Sequence, residues 1–127
     1  MKQTVLVVDD EPDVICVMGR SLTLEGFTVI TANNGQECIE KAHAEMPDLI
    51  LLDNVMPKMD GITALLKLRS STKTKNIPVI VVTALADEEN ILQALEAGAH
   101  TYVLKPFDYE LLLEEIQKAL QTNLAVK

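Results

Sequence analysis

Apolar residues fall along this chain in two rhythms. VLVV (5–8), LILL (49–52), VIVV (79–82) and YVL (102–104) are continuous apolar runs. A run without polar alternation marks a strand covered on both faces, as in a parallel sheet. TVIT (28–31) has polar ends and fits an edge position. Between the runs the spacing changes to three and four. Val14, Ile15, Met18 and Leu22 form one helical stripe, stopped by Gly26. Ile39, Ala42 and Met46 form a second before Pro47, and Ile62, Leu65 and Leu66 a third. Ile91, Ala94 and Leu95 form a fourth, closed by Gly98. Leu112, Ile116 and Leu120 form a fifth, with Asp108 as its N-cap after Pro106. All of these stripes are expected to be core.

The order is strand then helix, five times over. Right-handed crossovers fold such a chain into a doubly wound α/β sandwich. A five-stranded parallel sheet in the flavodoxin-like order 2-1-3-4-5, with five helices on two faces, needs no more strands than these. Residues 1–121 are expected to form the domain, and 122–127 a tail or the first residues of a linker. SSTKTKN (70–76) reads as a polar loop.

Composition narrows the picture. The 127 residues are 48% hydrophobic and 24% charged, which suits one globular domain. Eleven basic residues against nineteen acids leave a net charge of −8, which argues against direct binding to nucleic acid or to an anionic membrane. MKQT leads into only four apolar residues, too few for an export signal or a membrane span. Cys16 and Cys38 lack metal-ligand spacing and are expected to be buried free thiols in a reduced, cytoplasmic protein.

The chemistry lies at the strand ends. In an open α/β sheet, ligands bind beyond the C-terminal ends of the strands, near the switch point. There the first run ends in Asp9 and Asp10, the third in Asp53, the fourth in Thr83 and the fifth in Lys105. Two carboxylates about 4 Å apart repel by roughly 4 kcal/mol at an effective dielectric near 20. Three need more than one lysine. A hard, all-oxygen site favours Mg²⁺, with Mn²⁺ as a substitute, and Mg²⁺ held by carboxylates points to phosphoryl chemistry. Asp53 stands alone at the end of a central strand and is the candidate nucleophile, forming an aspartyl phosphate. A bland alternative, acids at a helix N-terminus, explains one of Asp9 and Asp10 but not both.

Together VLVVDDEP, LILLDNVMPKMDG, VIVVTA and YVLKPF resemble the receiver domain of two-component response regulators, from residue 4 to about 120. The resemblance implies that Asp53 accepts the phosphoryl group. It implies that Asp10 ligates Mg²⁺ directly, Asp9 through water, and Val55 through its backbone carbonyl. Thr83 then corresponds to the switch hydroxyl, Lys105 to the phosphoryl-pairing lysine in a cis Lys105–Pro106 bond, and Tyr102 to the aromatic that follows the switch. The implied partners are a sensor histidine kinase or phosphotransfer protein and a downstream target or output domain. Output would leave through the fourth helix, fifth strand and fifth helix, and phosphorylation-dependent dimerisation is an implied possibility. Val55 and Leu85 occupy the positions that tune dephosphorylation. Both are apolar, so slow loss is expected.

Other residues carry plainer expectations. Glu11 reads as a first-turn acid, Asp60 as a helix cap, and Gly61 as the residue that permits a turn. Asn54 is expected to face solvent, and His43 and His100 to be surface residues without a role. Rival readings are a docking-only receiver, an aspartyl-nucleophile phosphatase, and a nucleotide or flavin module. The second lacks an acid at Val55, and the third lacks both glycine-rich phosphate loops.

Overall fold

The computed structural model describes residues 2–126, with side chains through residue 121. Its elements alternate as β1 (Thr4–Val8), α1 (Pro12–Leu24), β2 (Thr28–Ala32), α2 (Gly35–Glu45), β3 (Leu49–Leu52), α3 (Gly61–Ser70), β4 (Val79–Thr83), α4 (Glu88–Glu96), β5 (Thr101–Leu104) and α5 (Tyr109–Val126). The strands are parallel and lie in the order β2-β1-β3-β4-β5, as the sequence predicts. The expected tail, 122–127, has its side chains outside the described residues. No helix among the described residues is long and apolar enough to cross a membrane.

Alternate residues of each central strand enter opposite cores, which explains why the runs are apolar throughout. Leu6, Val8, Ile50, Leu52, Val79 and Val81 pack with Cys38, Leu65, Leu68 and Ala94 from α2, α3 and α4. Val5, Val7, Leu49, Leu51, Ile80 and Val82 pack with Met18, Leu22, Leu112 and Ile116 from α1 and α5. Helix ends follow local chemistry. Asn34 accepts from Glu37 N at 2.9 Å, Asp60 from Thr63 N at 2.7 Å and Asp108 from Glu110 N at 2.9 Å. Gly26 and Gly98 take positive φ, 101° and 107°, just after α1 and α4.

Several expected core positions lie elsewhere. Met46 is the left-handed C-cap of α2 and is exposed, because the helix ends one residue before it. Leu66 and Leu95 point outward, leaving Ala64, Leu65, Leu68 and Ala94 to fill the core. Cys16 is exposed on α1, whereas Cys38 is buried, and burial pushes its thiol up to about 12. β5 is a sheet edge and only half-buried, so its short apolar run does not mark a strand covered on both faces.

Candidate functional site

Register gathers the strand-end residues. Val8 pairs with Leu52, and Thr83 with Leu104, so the next residues leave the sheet at one end. Asp53 N still donates to Val8 O at 3.0 Å, and Lys105 N to Thr83 O at 2.9 Å. The ladder thus carries on into the site and fixes where each side chain starts.

One carboxylate oxygen each from Asp9, Asp10 and Asp53 lies within 4.8 Å of the other two. Asp9 and Asp53 are buried, at 3% and 6% exposure, and Asp10 opens to solvent. Lys105 Nζ reaches from the far strand to Asp9 Oδ2 at 2.6 Å and Asp53 Oδ2 at 3.2 Å. Burial by itself would lower the Lys105 ammonium. The bond to Asp9 and the charges of Asp53 and Asp9 outweigh it and hold the lysine above its ordinary range. The remaining oxygens meet backbone donors: Glu11 N to Asp9 Oδ1 at 3.0 Å and Val55 N to Asp53 Oδ1 at 3.1 Å. Asp10 has no such partner among the described residues.

The charge balance is the test of whether a cation fits. One ammonium faces three carboxylates, so two negative charges are left uncompensated in a partly buried pocket. The donors are all oxygen, one of them free on Asp10, which suits a small hard cation such as Mg²⁺ or Mn²⁺. Val55, two residues after Asp53, is exposed, and its N–H is bonded to Asp53.

Thr83 is fully buried, and its hydroxyl accepts a long 3.5 Å bond from Leu85 N. Tyr102 OH donates to Leu85 O at 2.7 Å, so the aromatic is tethered to the loop that follows Thr83. Burial, then the charges of Asp87 and Asp53, raise its phenol above the ordinary value. The Lys105–Pro106 bond is cis.

Asn54 is the residue that sequence reasoning misplaced. It is 6% exposed, and its side chain turns inward, where Oδ1 accepts from Ile62 N at 3.0 Å and closes the start of α3. Gly61 is needed for space rather than for an unusual turn. A Cβ there would stand 2.5 Å from Asp53 O and 2.7 Å from Asn54 Cα. The left-handed residue of this loop is Lys58, at φ 70°. His43 is half-buried and joins Ile39 O to Ser71 Oγ at 3.0 Å each, a structural link between α2 and the α3–β4 loop. His100 is exposed, as expected.

Known proteins resemble this chain in sequence and fold. The sequence profile of the response regulator receiver domain matches residues 5–117. The chain is 43% identical to the regulatory protein AtoC of Escherichia coli K12 over 118 residues, 92% of this chain and 25% of AtoC. It covers all of a CheY-like receiver domain from Methanospirillum hungatei and is itself wholly covered, at TM-score 0.94 and 30% identity. A solved CheX–CheY–BeF₃–Mg complex from Borrelia burgdorferi matches at TM-score 0.84 and 36% identity, over 91% of this chain and 87% of that one. The chain spans about half or less of the length of curated relatives such as the probable transcriptional regulators ycf27 and AtoC. With the profile spanning nearly every residue and the acid cluster in place, the chain belongs to the response regulator receiver domains of two-component systems.

Proposed function

We propose that this domain accepts a phosphoryl group on Asp53 from a histidine kinase or phosphotransfer protein and relays the event as a change of surface. The observation that carries this reading is the close set of Asp9, Asp10 and Asp53 with Lys105 across from it. A Asp53 carboxylate oxygen attacks phosphorus as the bond to the donor imidazole nitrogen breaks. The electron pair departs with that nitrogen, which is then protonated from solvent.

Asp9, Asp10 and Asp53, with the Val55 carbonyl, would hold Mg²⁺ or Mn²⁺, which when bound neutralises phosphoryl charge. Lys105, 3.2 Å from Asp53, is placed to pair with a phosphoryl oxygen. Val55 N keeps the Asp53 carboxylate oriented. Thr83 would turn its hydroxyl from Leu85 to the new oxygens, drawing on the loop that Tyr102 holds. The shift then reaches α4, β5 and α5, its extent set by how differently the two states hold the phosphoryl group. An apolar groove of about 700 Å³ beside Lys105, lined by Val14, Val17, Met18 and Phe107, gives a protein donor a dry surface on which to dock. Neither Val55 nor Leu85 has a side chain able to orient water, so the phosphoryl group is lost slowly. The domain has no turnover substrate and acts as a switch.

Intact mass after acetyl phosphate with Mg²⁺ tests this. The wild type should gain one phosphoryl mass, dependent on the metal, and Asp53→Asn should gain none. An equal gain in Asp53→Asn refutes the assignment. No gain in the wild type leaves a docking-only domain.

A further inference from the structure

The charges of this chain are unevenly spread. Residues 61–86 contain no acid but four of the eleven basic residues, Lys67, Arg69, Lys73 and Lys75. All nineteen acids lie outside this stretch. A chain of net charge −8 therefore carries one segment that is purely cationic.

The four bases cluster where α3 ends and the chain turns into β4. Lys67, Lys73 and Lys75 are exposed, and Arg69 is half-buried. None of them pairs with a carboxylate among the described residues, whose ion pairs involve only Lys41, Lys105 and Lys118. The elements packed against the loop supply no counter-charge either. α2 meets it through the 3.0 Å link of His43 Nε2 to Ser71 Oγ, while Glu37 faces Lys41 and Glu40 faces Gln36. The turn after α4 meets it through Gly98 O, a neutral carbonyl.

The loop is also held in shape. Arg69 Nη1 donates to Lys75 O at 3.1 Å and Ile77 O at 2.8 Å, and Nη2 to Gly98 O at 2.9 Å. Lys73 Nζ donates to His43 O at 3.1 Å, and Lys75 N to Ser71 O at 2.9 Å. Thr74 Oγ1 pins the loop to Leu68 O at 2.7 Å. Every one of these acceptors is neutral, so the bonds place the cations without cancelling them. Ser70, Thr72 and Asn76 add exposed polar groups between them.

We infer that this loop is a docking surface for an acidic segment of another polypeptide. A preformed set of cations without counter-charge favours carboxylates, and the fixed backbone lowers the cost of ordering on binding. The acids elsewhere on the chain do not forbid this, because charges more than about 8 Å away are screened at physiological salt. Nucleic acid is a poorer occupant. Its duplex carries a charge about every 1.7 Å, so it would run past four cations on to the acidic surface around them. A second copy is poorer too, since it brings its own net charge of −8. The loop precedes β4, at the end of the sheet opposite Asp53. The inference therefore does not rest on the switch reading, and binding should be independent of phosphorylation.

The probe is a fluorescein-labelled Glu-rich peptide, compared by anisotropy with a Gln-rich peptide of equal length on the full chain. The Glu peptide should bind about tenfold more tightly at low salt, with the difference shrinking as salt is raised. Lys67→Gln, Lys73→Gln and Lys75→Gln together should weaken it about tenfold. Lys2→Gln, Arg20→Gln and Lys118→Gln together, an equal change in net charge elsewhere, should leave it unchanged. Lys67→Arg, Lys73→Arg and Lys75→Arg together should keep the binding, which separates lost charge from a disturbed loop. Beryllofluoride with Mg²⁺ should not alter it. Equal affinity for both peptides, equal loss from the two glutamine variants, loss in the arginine variant, or a change with beryllofluoride overturns the inference. So does single-stranded DNA of equal charge binding more tightly through the same three lysines. Sedimentation showing self-association that the first glutamine variant abolishes overturns it as well.

Discussion

Two loops leave the same end of the sheet, and they are held very differently. The β3–α3 loop is tied at four points. Val55 N is bonded to Asp53, Met59 N to Pro57 O, Gly61 N to Asn54 O, and Ile62 N to the Asn54 side chain, all between 2.8 and 3.1 Å. Asp60 then caps α3. The β4–α4 loop has a 3.5 Å contact from Leu85 N to Thr83 and one bond from Tyr102 to Leu85 O. Asp87, at the start of α4, uses its carboxylate on the Asn90 side chain and leaves the helix without a side-chain cap. The loop after Asp53, the proposed phosphoryl acceptor, is tied at several points, and the loop proposed to answer it is lightly tied. Local opening costs least where such bonds are few, and a switch needs its mobile part there.

Breaking the rigid loop should have the largest effect. Gly61→Ala places a methyl group 2.5 Å from a backbone oxygen and 2.7 Å from a backbone carbon, neither of which can rotate away. A stability loss of about 3 kcal/mol is expected, read as a lower urea midpoint at unchanged m-value. Phosphorylation yield should fall with it, because the atoms that must move belong to Asp53 and Asn54. A loss under about 1 kcal/mol would show that the loop yields easily and that the contrast is false. Asn54→Ala comes next. It leaves the partly buried Ile62 N–H without its acceptor, at a cost of about 1 kcal/mol by denaturation.

Sequence legibility follows the same division. Asp9, Asp53, Thr83 and Lys105 each come directly after an apolar run, with Asp10 one step further, and a parallel ladder carries all such positions to one edge. Their meeting was therefore readable from the runs alone. The fates of the two neighbours Asp9 and Asp10 were not, because one residue's step beyond a strand turns a side chain from Lys105 to open solvent. Asn54 departs from expectation for a related reason. A single polar residue after a strand has no period to betray its direction, and its partner Ile62 lies across a loop. Cys16, Leu66 and Leu95 show the limit of stripe reading. A spacing of three and four identifies the helix but leaves the width of its buried face undetermined.

The lightly tied loop offers the finest test, through Tyr102→Phe. Removing the hydroxyl deletes the bond to Leu85 O but keeps the ring, so the loss should be about 1 kcal/mol near neutral pH. Its pH dependence carries a further signature. Burial and the charges of Asp87 and Asp53 raise the folded phenol above its ordinary 10.0, so the unfolded chain loses this proton first. The contribution is whole below pH 10.0 and disappears as pH climbs through the folded value. Lys105 and Tyr109, raised likewise, act with the same sign and remain in the variant. Tyr102→Phe should thus flatten the alkaline fall in stability without abolishing it. Amide exchange should quicken at residues 84–87 and stay unchanged at 54–62. Equal quickening in both segments would mean that the two loops are one mechanical unit, and the distinction between a fixed receiver and a free responder would have to be given up.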